Sequence, residues 1–294
     1  MANELARASR AGRMSVGTPD GARLAVTRIR PRGRARAVCL AAHAMMASSA
    51  YMRSRGFAGH LADRGIDVFL LDFRGHGASY PAPPWTFDDL VAFDLPAAVW
   101  AVSKATGAGP GEMVFLGHSL GGLVGLAAFA TGRAPAPARI VLASTSLWLE
   151  GRGGSLARRG LMTALAASGA VSGWVPIRRL GIGTADEPYP YMAQLAGWAL
   201  SGRWTSLGGL DYREVVARLH TPALAVTGEG DRLCRPADAE AMRAVLPGAA
   251  PLRRVGVRHG DALDPDHFTM FTRPALAPVW DELASWLSGE GERA

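Results

Sequence analysis

Met113-Val114-Phe115-Leu116-Gly117-His118-Ser119-Leu120-Gly121-Gly122 is the stretch on which the reading of this chain turns. A short apolar run enters G-x-S-x-G, and an apolar helical segment, residues 120–131, leaves it. That succession holds a serine on a sharp strand-to-helix turn and lifts its hydroxyl out of the sheet. Small residues on both sides let the backbone bend without a Cβ clash. A short motif in a chain with 36 glycines has a real chance of arising at random, so its context has to carry the inference. Here the motif occurs once, strand and helix signals flank it, and acid and histidine candidates follow in order.

The remaining pattern is strand-helix alternation. Residues 14–30 alternate around Pro19-Asp20-Gly21 and read as an edge hairpin. Residues 37–42, 67–72, 112–116, 139–143, 223–227 and 252–257 are short apolar runs of strand length. Longer amphipathic segments such as 87–104 lie between them, which implies a mostly parallel sheet with helices on both faces. Residues 146–210 break the rhythm. They hold no convincing buried strand but carry Trp148, Trp174, Trp198 and Trp204, half of the chain's eight tryptophans. Such a span is too long for an ordinary loop. It leaves from a strand's carboxyl end, where such sheets bind ligands, and so reads as a helical cap over the site. The expected division is a core at 1–145 with a basic leader at 1–13, the cap at 146–210, and the rest of the core at 211–294.

Composition bounds the function. At 294 residues and 49% hydrophobic, the chain can bury a large core. No apolar run approaches the roughly 18–20 residues that span a bilayer, so no integral membrane segment is expected. The first residues lack a signal peptide's apolar stretch, which makes the cytoplasm the expected location. Cys39 and Cys234 make no disulfide framework, and Cys39 reads as a small buried hydrophobe. The net charge of +7 resides entirely in the first 36 residues, where nine arginines face Glu4 and Asp20. The rest is balanced. A solvated leader and edge hairpin explain that bias better than an arm for an acidic partner, and no nucleic-acid partner is expected.

Ser119 needs a base, and the base needs an orienting group. Asp231, in Gly228-Glu229-Gly230-Asp231-Arg232 just past a strand, is preferred to Glu229 as the acid, although an Asx turn alone would also account for it. His267, before the last helix at 275–287, is preferred to His259 as the base. His43, His76 and His118 flank small-residue turns and read as backbone hydrogen-bonders; His60 and His220 read as surface or packing residues. No histidines sit at metal-ligand spacing with carboxylate support, so no metal is expected. Oxyanion donors are expected at Leu120 N–H, at a helix start, and at Met45 N–H in the loop His43-Ala44-Met45-Met46. Met46, Trp148 and Trp174 are the expected substrate contacts.

Together these residues resemble the α/β-hydrolase superfamily, in particular its monoacylglycerol-lipase-like and serine aminopeptidase-like branch. Asp72-Phe73-Arg74-Gly75-His76-Gly77-Ala78-Ser79 matches that branch's D-x-R-G-H-G-x-S segment, and Ser119, Asp231 and His267 follow the superfamily's order. The resemblance implies an eight-stranded α/β-hydrolase sheet, a serine triad, no cofactor and a small-molecule ester substrate. One departure stands out: His43-Ala44 replaces the usual His-Gly, and the added Cβ would tilt the donor loop or narrow the acyl side of the pocket. The expected activity is ester hydrolysis through an acyl-enzyme on Ser119. Acyl transfer or thioester cleavage by the same triad is the alternative, and a non-catalytic binding protein is the third class.

Overall fold

The apolar runs form one eight-stranded sheet in a computed structural model that describes residues 10–54, 56–148, 155–248 and 250–290. In chain order the strands are β1 (Ala11–Gly17), β2 (Arg23–Ile29), β3 (Ala37–Ala42), β4 (Ile66–Asp72), β5 (Val114–His118), β6 (Arg139–Ala143), β7 (Ala223–Gly228) and β8 (Leu252–Val255). They lie side by side as β1-β2-β4-β3-β5-β6-β7-β8. The β1–β2 hairpin and the β2–β4 pair are antiparallel, and every later pair is parallel. The expected fold class is therefore the one adopted.

Alternation along the strands explains the layers. In β4, Phe69 and Leu71 enter one core while Val68 and Leu70 enter the other. Helices α1 (Phe57–Asp63), α2 (Leu95–Thr106), α3 (Leu120–Ala130), α4 (Leu156–Gly169), α5 (Tyr189–Ser201), α6 (Pro236–Arg243) and α7 (Ala277–Ser288) follow in chain order. Of these, α1 and α7 close the second core, and α2 and α3 close the first. Strands buried on both faces have no room for polar alternation, and this is why the sequence shows continuous apolar runs.

Some boundaries differ from expectation, β8 for instance ending at Val255 rather than 257. Residues 11–13 already pair with residues 27–29, so β1 takes up the end of the expected leader, and Arg10 ion-pairs with Asp63 at 2.8 Å. Residues 1–9, the rest of that basic arm, lie outside the described residues. Strand β5 starts two residues later than its apolar run because Pro110–Glu112 makes a 3-10 turn.

Between β6 and β7 the chain makes α4 and α5, which pack on each other. A two-residue antiparallel ladder, Trp174–Val175 with Glu187–Pro188, joins them and was not foreseen; residues 149–154 of this insertion lie outside the described residues. Polar contacts tie the insertion to the core, two of them away from the turn after β3. Asp88 accepts from Gln194 Nε2, Tyr212 Oη and Leu207 N–H at 2.7–2.8 Å, and Arg158 of α4 pairs with Asp238 of α6 at 2.7 Å. Among the described residues, no helix is long and apolar enough to cross a membrane.

Two glycine substitutions separate close packing from helix propensity. A Cβ on Gly121 would stand 2.5 Å from the Ala42 carbonyl oxygen, whereas one on Gly160 in α4 meets nothing within 4 Å. Gly121→Ala should destabilise the protein by about 1–3 kcal/mol, and Gly160→Ala should stabilise it by about 0.5–1 kcal/mol. Denaturant unfolding of both variants checks the opposite signs.

Candidate active site

Ser119 sits between β5 and α3 with φ 53° and ψ −116°, a conformation that a side chain strongly disfavours. Its surroundings force it there. The Ser119 N–H donates to Ala143 O of β6 at 2.9 Å, and Gly122 N–H donates back to Ser119 O at 3.0 Å. A Cβ on Gly117 would land on the Gly122 backbone, so strand and helix approach this closely only because Gly117 has no side chain; a Cβ on Gly122 would meet the Thr145 side chain. The hydroxyl is thereby set at the carboxyl edge of the sheet, on the wall of a cavity.

Asp231 leaves the end of β7 and uses its two oxygens differently. Oδ1 accepts the Leu233 and Cys234 N–H groups at 2.9 and 2.8 Å, which is the Asx turn. Oδ2 lies 2.8 Å from His267 Nδ1. Turn and side-chain partnership therefore coexist in one buried carboxylate. The rivals pair with each other instead: His259 Nε2 is 2.9 Å from Glu229, which also binds Arg254 and Arg258 on the surface. Phe268 and His118 pack on the His267 ring, the latter with centroids 4.6 Å apart. Burial, and secondly the nearby His267, hold His118 well below the usual histidine range, and its Nδ1 accepts from Tyr51 Oη at 2.6 Å. His118 thus has a side-chain partner, Tyr51, beyond the backbone contact expected of it.

The turn after β3 is gripped on both sides of Met45. Ala44 N–H donates to Tyr51 Oη at 3.1 Å, and Met46 N–H donates to Glu187 Oε1 at 2.8 Å. The intervening Met45 N–H keeps no acceptor among the described residues, and neither does Leu120 N–H at the start of α3. Both residues line the same cavity as Ser119 and His267. Upstream, His43 accepts the Phe73 N–H at Nε2 (3.1 Å) and donates from Nδ1 to Ala44 O (2.7 Å). Burial, with His76 nearby, pulls it down to about 4, so it is a neutral strut for this turn.

The cavity holds about 610 Å³ and is walled by core and insertion together: Met45, Met46, Tyr51, Leu123 and Phe268 from the core, and Leu161, Met162, Leu165, Leu195 and Trp198 from α4 and α5. Met46 and Trp148 are in the wall as expected, and Trp148 Nε1 also donates to Leu233 O at 2.8 Å. Trp174 is not. Its ring packs edge-on against Trp85 at 5.5 Å because the short ladder carries it to the insertion's base; Trp198 of α5 occupies the wall instead. Tyr51, Trp198 and Glu187 are the site residues that sequence reading missed. His60, as expected, is a packing residue, 2.5 Å from Asp281 and edge-on to Trp280.

A family model described as "Serine aminopeptidase, S33" matches residues 33–182, just over half of the chain. The chain belongs to this family. Lipase member N of Mus musculus is 34% identical over 139 residues, which are 40% of this chain and 34% of that lipase. The match thus spans about a third of the length of that curated relative. An esterase from Thermogutta terrifontis superposes with TM-score 0.65 at 19% identity, covering 95% of this chain and 98% of that one. The alpha/beta hydrolase GrgF from Penicillium sp. sh18 gives 0.66 at 18%, covering 95% and 99%. At those identities the likeness is one of fold.

Cys234 abuts the Asp231 turn yet is buried and does not line the cavity, and Cys39 is buried in β3. Burial pushes both thiols up to about 12, with Asp231 adding to the shift at Cys234. Neither should react with an aromatic disulfide reagent at pH 8 in the native protein, and both should react in guanidinium chloride; absorbance of the released thiolate counts them.

Proposed function

We propose that this protein is a serine hydrolase that cleaves uncharged carboxylic esters with a hydrophobic acyl or alcohol part. The observation that carries the reading is that a strained Ser119 and an Asp231-held His267 open on one apolar cavity, beside two N–H groups without acceptors. Ser119 Oγ attacks the acyl carbonyl carbon as His267 Nε2 takes its proton. Asp231 keeps the proton of Nδ1 in place and stabilises the imidazolium. Met45 and Leu120 N–H hold the oxyanion. The tetrahedral species collapses, the C–O bond to the alcohol breaks, and His267 returns the proton to the leaving oxygen. Water, deprotonated by His267, then attacks the acyl-enzyme and releases the acid and Ser119.

The substrate class follows from the walls. Apart from His267, no ionisable group of the Asp, Glu, Lys or Arg type lines the cavity among the described residues. A free α-ammonium group would meet no carboxylate among the described lining residues, which favours an uncharged ester over a peptide's amino terminus as substrate. Residues 146–210 act as the cap: α4 and α5 supply the apolar half of the wall, which shields the ester from bulk water. The relatives named as a lipase and an esterase support the same reaction class.

Purified protein should hydrolyse p-nitrophenyl esters, with an optimum among medium to long acyl chains between C2 and C16, and should leave amino-acid p-nitroanilides intact. Ser119→Ala should abolish turnover. Asp231→Asn keeps the Oδ1 turn but presents an amide to His267 Nδ1, so kcat should fall by about 10⁴ while the fold survives. Turnover that persists in folded Ser119→Ala would refute the assignment.

A further inference from the structure

The donor turn is held from outside the core. Met46 adopts φ 59°, a left-handed conformation that a side chain resists, and the insertion grips it at both backbone groups. Thr184 N–H donates to Met46 O at 2.7 Å, and Met46 N–H donates to Glu187 Oε1 at 2.8 Å. Gly183 completes the grip, since a Cβ there would stand 2.5 Å from Met46 O. The peptide that carries Met45 N–H is therefore bracketed by Tyr51 on the core side and by Glu187 on the insertion side.

Glu187 is an expensive residue to use for mere packing. It is fully buried, and its Oε2 has no protein partner among the described residues. Burying a carboxylate in this way is costly unless partners compensate. Its other partner is His76 Nε2 at 3.1 Å, whose Nδ1 lies 2.8 Å from the Arg74 carbonyl. Burial pulls His76 down, but the Glu187 carboxylate and these hydrogen bonds outweigh it and leave its affinity for the proton raised. The histidine of Asp72-Phe73-Arg74-Gly75-His76-Gly77-Ala78-Ser79 thus acts as a counterweight that makes a buried carboxylate tolerable.

We propose that Glu187 is a positioning residue for the oxyanion site: by accepting Met46 N–H it fixes the turn so that the neighbouring Met45 N–H points at the carbonyl oxygen that becomes the oxyanion when Ser119 attacks. The core alone then holds only part of the catalytic geometry, and the insertion completes it. This inference rests on the serine-hydrolase reading. It also answers the departure at Ala44, because a turn that lacks the usual glycine is held in shape by its neighbours' hydrogen bonds rather than by its own flexibility.

The test uses the full chain and three variants. Glu187→Met keeps the volume but removes the strong acceptor. Glu187→Met with His76→Phe removes both polar partners, which leaves no buried imidazole unpaired and protects the fold. Glu187→Gln retains an acceptor for Met46 N–H. For the folded Met variants, kcat on the best p-nitrophenyl ester should fall by about 30- to 100-fold, with KM within about threefold. The Gln variant should recover most of that loss. Affinity for a trifluoromethyl ketone, which forms the oxyanion adduct, should fall in step with kcat, while affinity for the matching ether should hold. Wild-type kcat in the double variant would overturn the proposal, as would equal losses for ketone and ether. A Ser119→Ala control that still turns over would instead strike the hydrolase reading itself.

Discussion

A serine backbone held at positive φ is the constraint on which the site depends. Such a conformation costs on the order of 1–3 kcal/mol and persists only where neighbours over-determine it. Here β6 takes the Ser119 N–H, β3 presses its Ala42 carbonyl against Gly121, and α3 is buried along almost its whole length. Burial of Val124 and Leu126 alone outweighs the strain, since each fully buried aliphatic side chain contributes roughly 1.5–3 kcal/mol. The same contacts fix β3 relative to β5, and with it the donor turn relative to the nucleophile.

Around that point each polar group serves twice. One carboxylate, Asp231, closes its own turn and holds His267; one hydroxyl, Tyr51, takes Ala44 N–H and serves His118; one carboxylate, Glu187, takes Met46 N–H and His76. In an apolar cavity these bonds are electrostatically stronger than in water, and an unmade one is correspondingly costly. The arrangement is stiff, and stiffness is what preorganised stabilisation of a developing charge requires. On the proposed reading it also divides the labour: the loops at the sheet's edge supply nucleophile, acid and base, while the insertion supplies substrate contact and the second half of the donor turn's support.

How much of this was legible before the structure follows from locality. The elbow could be read because glycine, serine and the flanking apolar runs are neighbours in sequence and the strand period is unambiguous. Asp231 and His267 could be ordered by their places after strands, but that His259 and Glu229 pair with each other on the surface depends on packing 30 residues apart in the chain. The insertion was legible only as an aromatic, strandless interval. Which tryptophan faces the cavity depends on a two-residue ladder that has no sequence signal, and so Trp174 was read in the place that Trp198 holds. Glu187 gave no local sign either. A buried carboxylate looks like any surface one until its partners, more than 100 residues upstream at His76 and Met46, are in place.

A crystal structure of the protein inactivated by a p-nitrophenyl alkylphosphonate would display the reaction geometry itself. Phosphorus should be bonded to Ser119 Oγ, with its alkyl chain between α4 and α5 and the phosphoryl oxygen about 2.7–3.1 Å from both Met45 N and Leu120 N. Phosphorus on another residue, or a phosphoryl oxygen turned away from those two amides, would contradict it.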